Sequence, residues 1–487
     1  MWMELTLMLA GIEGIDLDAV RARVAPPEGV YRQVGKGAYL GRPARFELTF
    51  DHTGRFIWKR QGDLIDISGF DGVHSWAVDW SGRARHTVLS ESDSAKVSAW
   101  VQTGLWARLL AGLSVKREPK ADEAMLLAVR PRSAPVSWSL TIGADNLPSR
   151  MSVPVTIGGG ASEFVEWGRT GTYSWPKRTR ELSPTGGHDE IEWSAPVRLS
   201  EPPDFTMPKS GSDDFTFSKP GFHPIEAKRS LVGLTLVKAQ LGGHDGWFIL
   251  DTGAGGPTVV GKEFAKKLKK TVVGHVPLSS VVGMQAAPVY RVSSFEVGPM
   301  QMENPAVVEM DFSGFGPALA DSDGIIGFDL FMRCLAEIEV AGPTVRLAHP
   351  STRVAGKTWT PLVVHRRHPS VRGKFRDGAL GVFNIDIGMA RGTVIFHSHA
   401  ANRIPILAHP KGDTRRRGLQ DGHSAKIEDL ILGKERFDKV TAYVSHAPSG
   451  PMSDPYSLGT VGTGLLSKIR FVLDMSRERI AIERIAR

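Results

Sequence analysis

The chain has 487 residues, 41% apolar and 23% charged, a balance that excludes a mainly disordered polypeptide and suggests about three folding units. Lys and Arg outnumber Asp and Glu by 60 to 52, giving a net charge of +8. These basic residues are spread along the chain instead of forming one patch, which argues against a nucleic-acid partner. One cysteine, Cys334, excludes an intrachain disulfide framework and a cysteine-based zinc site, while 53 glycines and 31 prolines favour strands and tight turns over long helices.

Residues 1–20 read as a short amphipathic helix. Glu4, Glu13, Asp16 and Asp18 precede the first basic residue, Arg21, so the segment lacks the positive start of a secretory signal. No apolar run nears the roughly 20 residues needed to span a bilayer. The expectation is a chain without a transmembrane segment, cytoplasmic by default, or periplasmic or secreted if a signal has been removed.

From about residue 30 to 199 the pattern is β-rich. RFELTF and RFIWKRQ alternate apolar and polar residues around Asp51-His-Thr-Gly54, which predicts a hairpin. Further turns are expected at Asp71-Gly72 and Ser81-Gly82. Trp100, Leu105, Trp106, Leu109 and Leu110 have near-helical spacing and predict a helix over 98–113 that caps the sheet. Residues 200–227, rich in Pro, Ser and Asp, read as a linker.

The remainder repeats itself. Asp251 in WFILDTGAGGPTVV corresponds to Asp386 in GVFNIDIGMARGTVI, Gly283 to Gly418, Gly298 to Gly433, and Gly327 to Gly462. Each pair differs by 135, as in 386 − 251. One offset shared by four landmarks implies two similar lobes related by a pseudo-two-fold axis, assigned to 228–350 and 351–487. The domain scheme is therefore 1–199, a linker 200–227, and two lobes.

Phe248-Ile249-Leu250 is an apolar strand running into Asp251-Thr252-Gly253, followed 76 residues later (327 − 251) by the apolar-apolar-Gly turn Gly324-Ile325-Ile326-Gly327. A buried strand thus brings a carboxylate to a tight turn where Gly253 permits close backbone approach. This combination resembles the retropepsin-like and pepsin-like aspartic peptidases. It implies a bilobal acid-protease-type β-barrel domain, which would follow the N-terminal antiparallel curved-sheet domain in a mainly β chain.

The resemblance implies a catalytic pair, Asp251 and Asp386, supported by Thr252, Gly253 and Gly388. Two carboxylates close enough to share a proton do not both ionise readily, so one can activate water while the other polarises the scissile carbonyl. Ile387 stands where the family has Thr or Ser, leaving Thr252 alone to bond between the loops. Three arrangements stay open: an asymmetric working dyad, a second lobe that only scaffolds the first, or a dyad formed by two copies of Asp251. Ala254 and Met389 lack the hydroxyl that stabilises the anion in acid-acting members, which predicts activity extending toward about pH 5–7. Residues 277–290, with Gly283, Met284 and Gln285, resemble the flap that closes over substrate. The repeat-mate of that segment carries Arg415, Arg416 and Arg417.

The function expected is hydrolysis of internal bonds of a peptide or protein substrate by a monomer, with no cofactor and no metal. The alternatives are an inactive peptide-binding module of the same fold, or a hydrophobe carrier using the N-terminal sheet. That sheet resembles periplasmic lipoprotein-carrier proteins in its Phe-Asp-Gly…Trp rhythm, and Trp76, Trp80, Trp167 and Trp175 are its core or cage candidates. His397 and His399 could form a metal pair if extended, against a packed or exposed role.

Overall fold

The computed structural model describes residues 17–107, 113–118, 125–210, 214–280, 283–374, 380–390, 392–404, 407, 415–417 and 420–485. Most of the predicted N-terminal amphipathic segment, and Gly418 and Leu419 of the second flap-like segment, lie outside them. The chain divides into two compact units, Met1–Ser210 and Gly211–Arg487. Among the described residues no helix is long and apolar enough to cross a membrane.

The first unit is one antiparallel sheet made of two meanders. The strand Val30–Tyr39 joins them, pairing with Arg42–Asp51 on one edge and with His188–Trp193 on the other. Outward from Arg42–Asp51 run Phe56–Gln61, Ile65–Phe70, Ser75–Val78 and Ala84–Thr87, with turns at the three predicted places. Alternation decides the faces: Phe46, Leu48 and Phe50 are all buried on one side of their strand. Trp76 and Trp175 are buried as well, and the Trp76 indole donates to the Phe205 carbonyl at 2.9 Å.

The predicted helix is displaced. It spans Leu89–Gln102 and gives way to a short turn at Leu105–Ala107, while 108–112 lie outside the described residues. Its first turns bury Ser90 and Asp93, so apolar periodicity alone misses them. Gly104, at φ +73°, ends it and lies against the Val24 backbone, where a side chain has no room.

The segment read as a linker is largely structured. Phe205 is buried in the first unit. Phe215–Phe217 pairs with Met300–Met302, His223–Pro224 with Arg346–Leu347, and Ala227–Arg229 with Thr235–Val237, all in the second unit. Asp214 accepts from Arg333 Nε at 2.8 Å. The Pro- and Ser-rich composition suggested a loop, but the spaced phenylalanines supply the apolar surface that anchors it.

In the second unit the two halves use one pairing order. His244–Leu250 lies between antiparallel Thr235–Leu241 and parallel Gly324–Ile326, and the latter pairs antiparallel with Thr258–Gly261. Leu380–Ile385 lies likewise between His368–Lys374 and Gly459–Val461, followed by Val394–Phe396. Phe248 pairs with Gly324 as Phe383 does with Gly459, an offset of 135 in both members (383 − 248, 459 − 324). Gly298 and Gly433 turn their hairpins at φ +56° and +61°.

The halves also share a sheet. Leu335–Glu339 pairs antiparallel with Ile469–Asp474, with Ala336 opposite Leu473 and Ile338 opposite Phe471. That register suits a two-fold relation, because 336 + 135 = 471 and 338 + 135 = 473. A single apolar core runs through both halves, from Phe248 and Leu250 to Phe383, Ile385 and Ile387. Phe248 is fully buried, with ring centroids 5.4 Å from Phe264 and 6.5 Å from Phe295. Phe248→Ala is expected to destabilise this unit by about 3–5 kcal/mol in urea unfolding; a loss below about 1 kcal/mol would contradict the packing described.

Candidate active site

Two sealed strands carry the predicted carboxylates. Both edges of His244–Leu250 and of Leu380–Ile385 are paired near their ends, so the chain leaves each strand through a tight turn. The Asp251 N–H donates to the Ile326 carbonyl and the Asp386 N–H to the Val461 carbonyl, each at 2.9 Å. This ties each aspartate to the apolar-apolar-Gly strand of its own half. Asp251 Oδ1 then accepts the Gly253 N–H at 2.6 Å, and Asp386 Oδ1 the Gly388 N–H at 2.8 Å.

Glycine is required at these positions for the other half's sake. A Cβ at Gly253 would lie 2.6 Å from Asp386 Cγ, and one at Gly388 would run into the Asp251 carboxyl. Each carboxyl group occupies the space left by the opposite glycine. Both are half-buried.

Burial pushes the Asp251 carboxyl above the ordinary carboxylate range, against N–H donors from Gly253, Gly388 and Ala254. Asp386 is held well above that range by burial and then by the neighbouring Asp251 charge. The two titrate as a pair, with one proton retained after the first is lost.

Thr252 links the halves. Its buried Oγ1 donates to the Ile385 carbonyl at 2.5 Å and accepts the Ile387 N–H at 3.1 Å. Ile387 is fully buried in the shared core and returns no such bond.

The hairpin Thr271–Ser280 with Gly283–Arg291 carries the flap candidates. Met284 stands opposite Ser279, Gln285 opposite Leu278, and Gly283 opposite Ser280. Met284 is 41% exposed, while Leu278 packs on an apolar group containing Ile249, Val259 and Ile325, beside the strands that end in Asp251 and Gly327.

Two features escaped sequence reasoning. Asp329, just past Gly327, accepts the Thr258 N–H and hydroxyl, each at 2.9 Å, and burial raises its pKa. Its signal was a carboxylate inside the otherwise apolar run Phe328–Phe331. The second is the turn His365–His368, which abuts Gly255: a Cβ there would lie 2.5 Å from the Arg366 carbonyl.

The histidine pair takes a packed form. His397 Nδ1 lies 3.0 Å from Ser457 Oγ and 3.2 Å from the Asp454 carbonyl, and Nε2 lies 3.1 Å from Thr460 Oγ1. Among the described residues no group of three His, Cys, Asp or Glu side chains is arranged for a metal. Burial lowers the His397 pKa, and burial with the His397 charge lowers that of His399 to about 4.

Residues 237–330 match the model of a family described as aspartyl protease. That stretch includes Asp251–Gly253, the flap-like hairpin and Gly324–Gly327, and it ends before Asp386. The chain is also similar to the crystal structure of an aspartic proteinase from Irpex lacteus. The identity is 14% over 55% of this chain and 98% of that one, with a TM-score of 0.37. No curated protein matches. Residues 237–330 thus form an aspartic-protease-like segment.

Thr252→Val removes two cross-half hydrogen bonds and orphans a buried N–H, so a loss of about 2 kcal/mol is expected in denaturant unfolding; an unchanged midpoint would contradict the bridge. A histidine whose pKa is lower folded than unfolded binds fewer protons when folded. Its contribution is complete above about pH 6.5 and is lost as the pH falls toward the folded value. His399→Gln is therefore expected to flatten the fall in melting temperature between about pH 6.5 and 4 relative to wild type. An identical slope in both proteins would rule this out.

Proposed function

We propose that the chain is a single-chain, two-lobed aspartic endopeptidase that hydrolyses internal peptide bonds with a water activated between Asp251 and Asp386. The observation that carries this reading is the reciprocal seating of each carboxyl over the other half's glycine. A lone buried carboxylate has structural explanations. Two carboxyls that share a proton at the ends of equivalent strands are suited to acid–base catalysis.

Chemistry follows from the shared proton. The ionised member takes a proton from water as the water oxygen bonds to the scissile carbonyl carbon. The protonated member gives its proton to the carbonyl oxygen, forming a tetrahedral diol. Collapse returns a proton from the diol to one carboxylate and delivers the other carboxyl's proton to the amide nitrogen, as the C–N bond breaks. The proton at the start belongs to the pair, and the roles of Asp251 and Asp386 exchange as the intermediate collapses. Thr252 fixes the distance between the two loops, and the Thr271–Arg291 hairpin covers an extended peptide and sheds water. The two lobes are read as an internal duplication of the pepsin-like kind.

Asp251→Asn and Asp386→Asn are each expected to lower cleavage of an unfolded protein at least a thousandfold, and a pepstatin-type inhibitor to block the wild type. Because both carboxyls are shifted upward by burial, the alkaline limb of the pH–rate profile is expected to lie above the ordinary Asp value of about 3.9. Cleavage that persists in both Asn variants would sink the dyad. Binding of a peptide without cleavage at any pH between 3 and 7 would favour the inactive module.

A further inference from the structure

The two halves differ in chemistry at one pair of equivalent positions beside the carboxyls. In the first half the turn Leu231-Val232-Gly233 is apolar. Leu231 is 72% exposed, and Val232 packs on the same apolar group as Ala390, four residues past Asp386. Adding 135 to 232 gives 367, and the second half there reads Arg366-Arg367-His368. This turn abuts Gly255, four residues past Asp251: an added Cβ would lie 2.5 Å from the Arg366 carbonyl and 2.8 Å from His368 Nε2. Equivalent turns thus lie near equivalent loops, one turn apolar and one basic.

The basic turn is built at a cost. Arg366 and Arg367 hold φ of +51° and +65°, the left-handed region where Asn or Gly is relaxed and a long side chain is strained. Arginine in both places is not the choice that turn geometry would make. Arg366 has a distant carboxylate neighbour, Asp454, at 3.9 Å. Arg367 lies over the Phe328 ring, 5.8 Å from its centroid, and Phe328 directly follows Gly327 of the first half's active loop. Among the described residues Arg367 has no carboxylate partner. It is half-buried, so its charge is less screened than that of a surface lysine.

We propose that this turn is a basic subsite for an aspartate or glutamate side chain of the peptide substrate, with Arg367 as the specificity-determining residue. The inference rests on the peptidase reading and deepens it. A guanidinium seated on an aromatic face keeps its N–H fork free for a carboxylate and is held in place for it. Val232, at the equivalent place in the other half, offers no such group. The cleft is therefore expected to treat its two ends unequally.

The test uses one cleaved peptide sequence, varied with Glu, Gln or Lys at each of four positions on either side of the broken bond. At one position Glu is expected to raise kcat/KM over Gln by about tenfold, with Lys the poorest, and the preference is expected to shrink at high salt. Arg367→Gln should bring the Glu/Gln ratio close to one, and Arg367→Glu should make Lys the best residue. A ratio measured on one enzyme preparation is indifferent to the fraction folded, so a merely structural role would leave it unmoved. No charge preference at any position, or wild-type preference in Arg367→Glu, overturns the subsite while the peptidase reading stands. Absence of cleavage of every peptide by the wild type overturns both.

Discussion

Two carboxyl groups, 135 residues apart in the chain (386 − 251), fill the space left by two missing side chains at Gly253 and Gly388. That exchange constrains everything around it. Ionising both groups in a half-buried site is unfavourable, so the surroundings must keep them close while one stays protonated. Backbone N–H donors from Gly253 and Gly388 hold one oxygen of each. The parallel pairing with Gly324–Ile326 and Gly459–Val461 fixes the strand ends from which the carboxyls project. The shared antiparallel sheet of Leu335–Glu339 and Ile469–Asp474 then sets the relation between the two halves.

Burial holds the strands that carry the carboxyls, alongside the polar bonds of their loops. Phe248 and Phe383, equivalent across the repeat, are both fully buried, and Phe383 stands 5.9 Å from Phe396 much as Phe248 stands against Phe264. Apolar strand ends of this kind leave little freedom to the turn that follows, which suits a site whose two groups must stay within a hydrogen bond of each other. Asp329, held by Thr258, braces the neighbouring strand in the first half. The second half has Gly464 at the position 135 residues on, and there the neighbouring Thr463 hydroxyl donates to the Met389 carbonyl at 2.9 Å.

Much of this was legible in the residues. The run Phe248–Gly253 announces a strand and a turn, and a constant offset of 135 locates the second strand without any structure. The hairpin turns at Asp51–Gly54, Asp71-Gly72 and Ser81-Gly82 follow from local chemistry, and they form where expected. What failed was composition without pattern. Residues 200–227 look like a linker because they are rich in Pro, Ser and Asp, yet Phe215 and Phe217 pair into a sheet whose partner strand lies some eighty residues on. The helix Leu89–Gln102 begins on polar residues that bury against their neighbours, which no apolar period can signal. The turn at Arg366–Arg367 carries no local signal of its role, because its contact with Gly255 joins residues more than a hundred positions apart.

Thr252 makes the two halves non-interchangeable. One hydroxyl supplies both ends of the link, to the Ile385 carbonyl and from the Ile387 amide, while Ile387 contributes only apolar bulk. A molecule assembled from two first halves would carry a pair of such hydroxyls, one from each side. A molecule assembled from two second halves would carry none and would bring two isoleucines face to face. The difference between the halves thus comes down to a single oxygen atom, present at Thr252 and missing at Ile387.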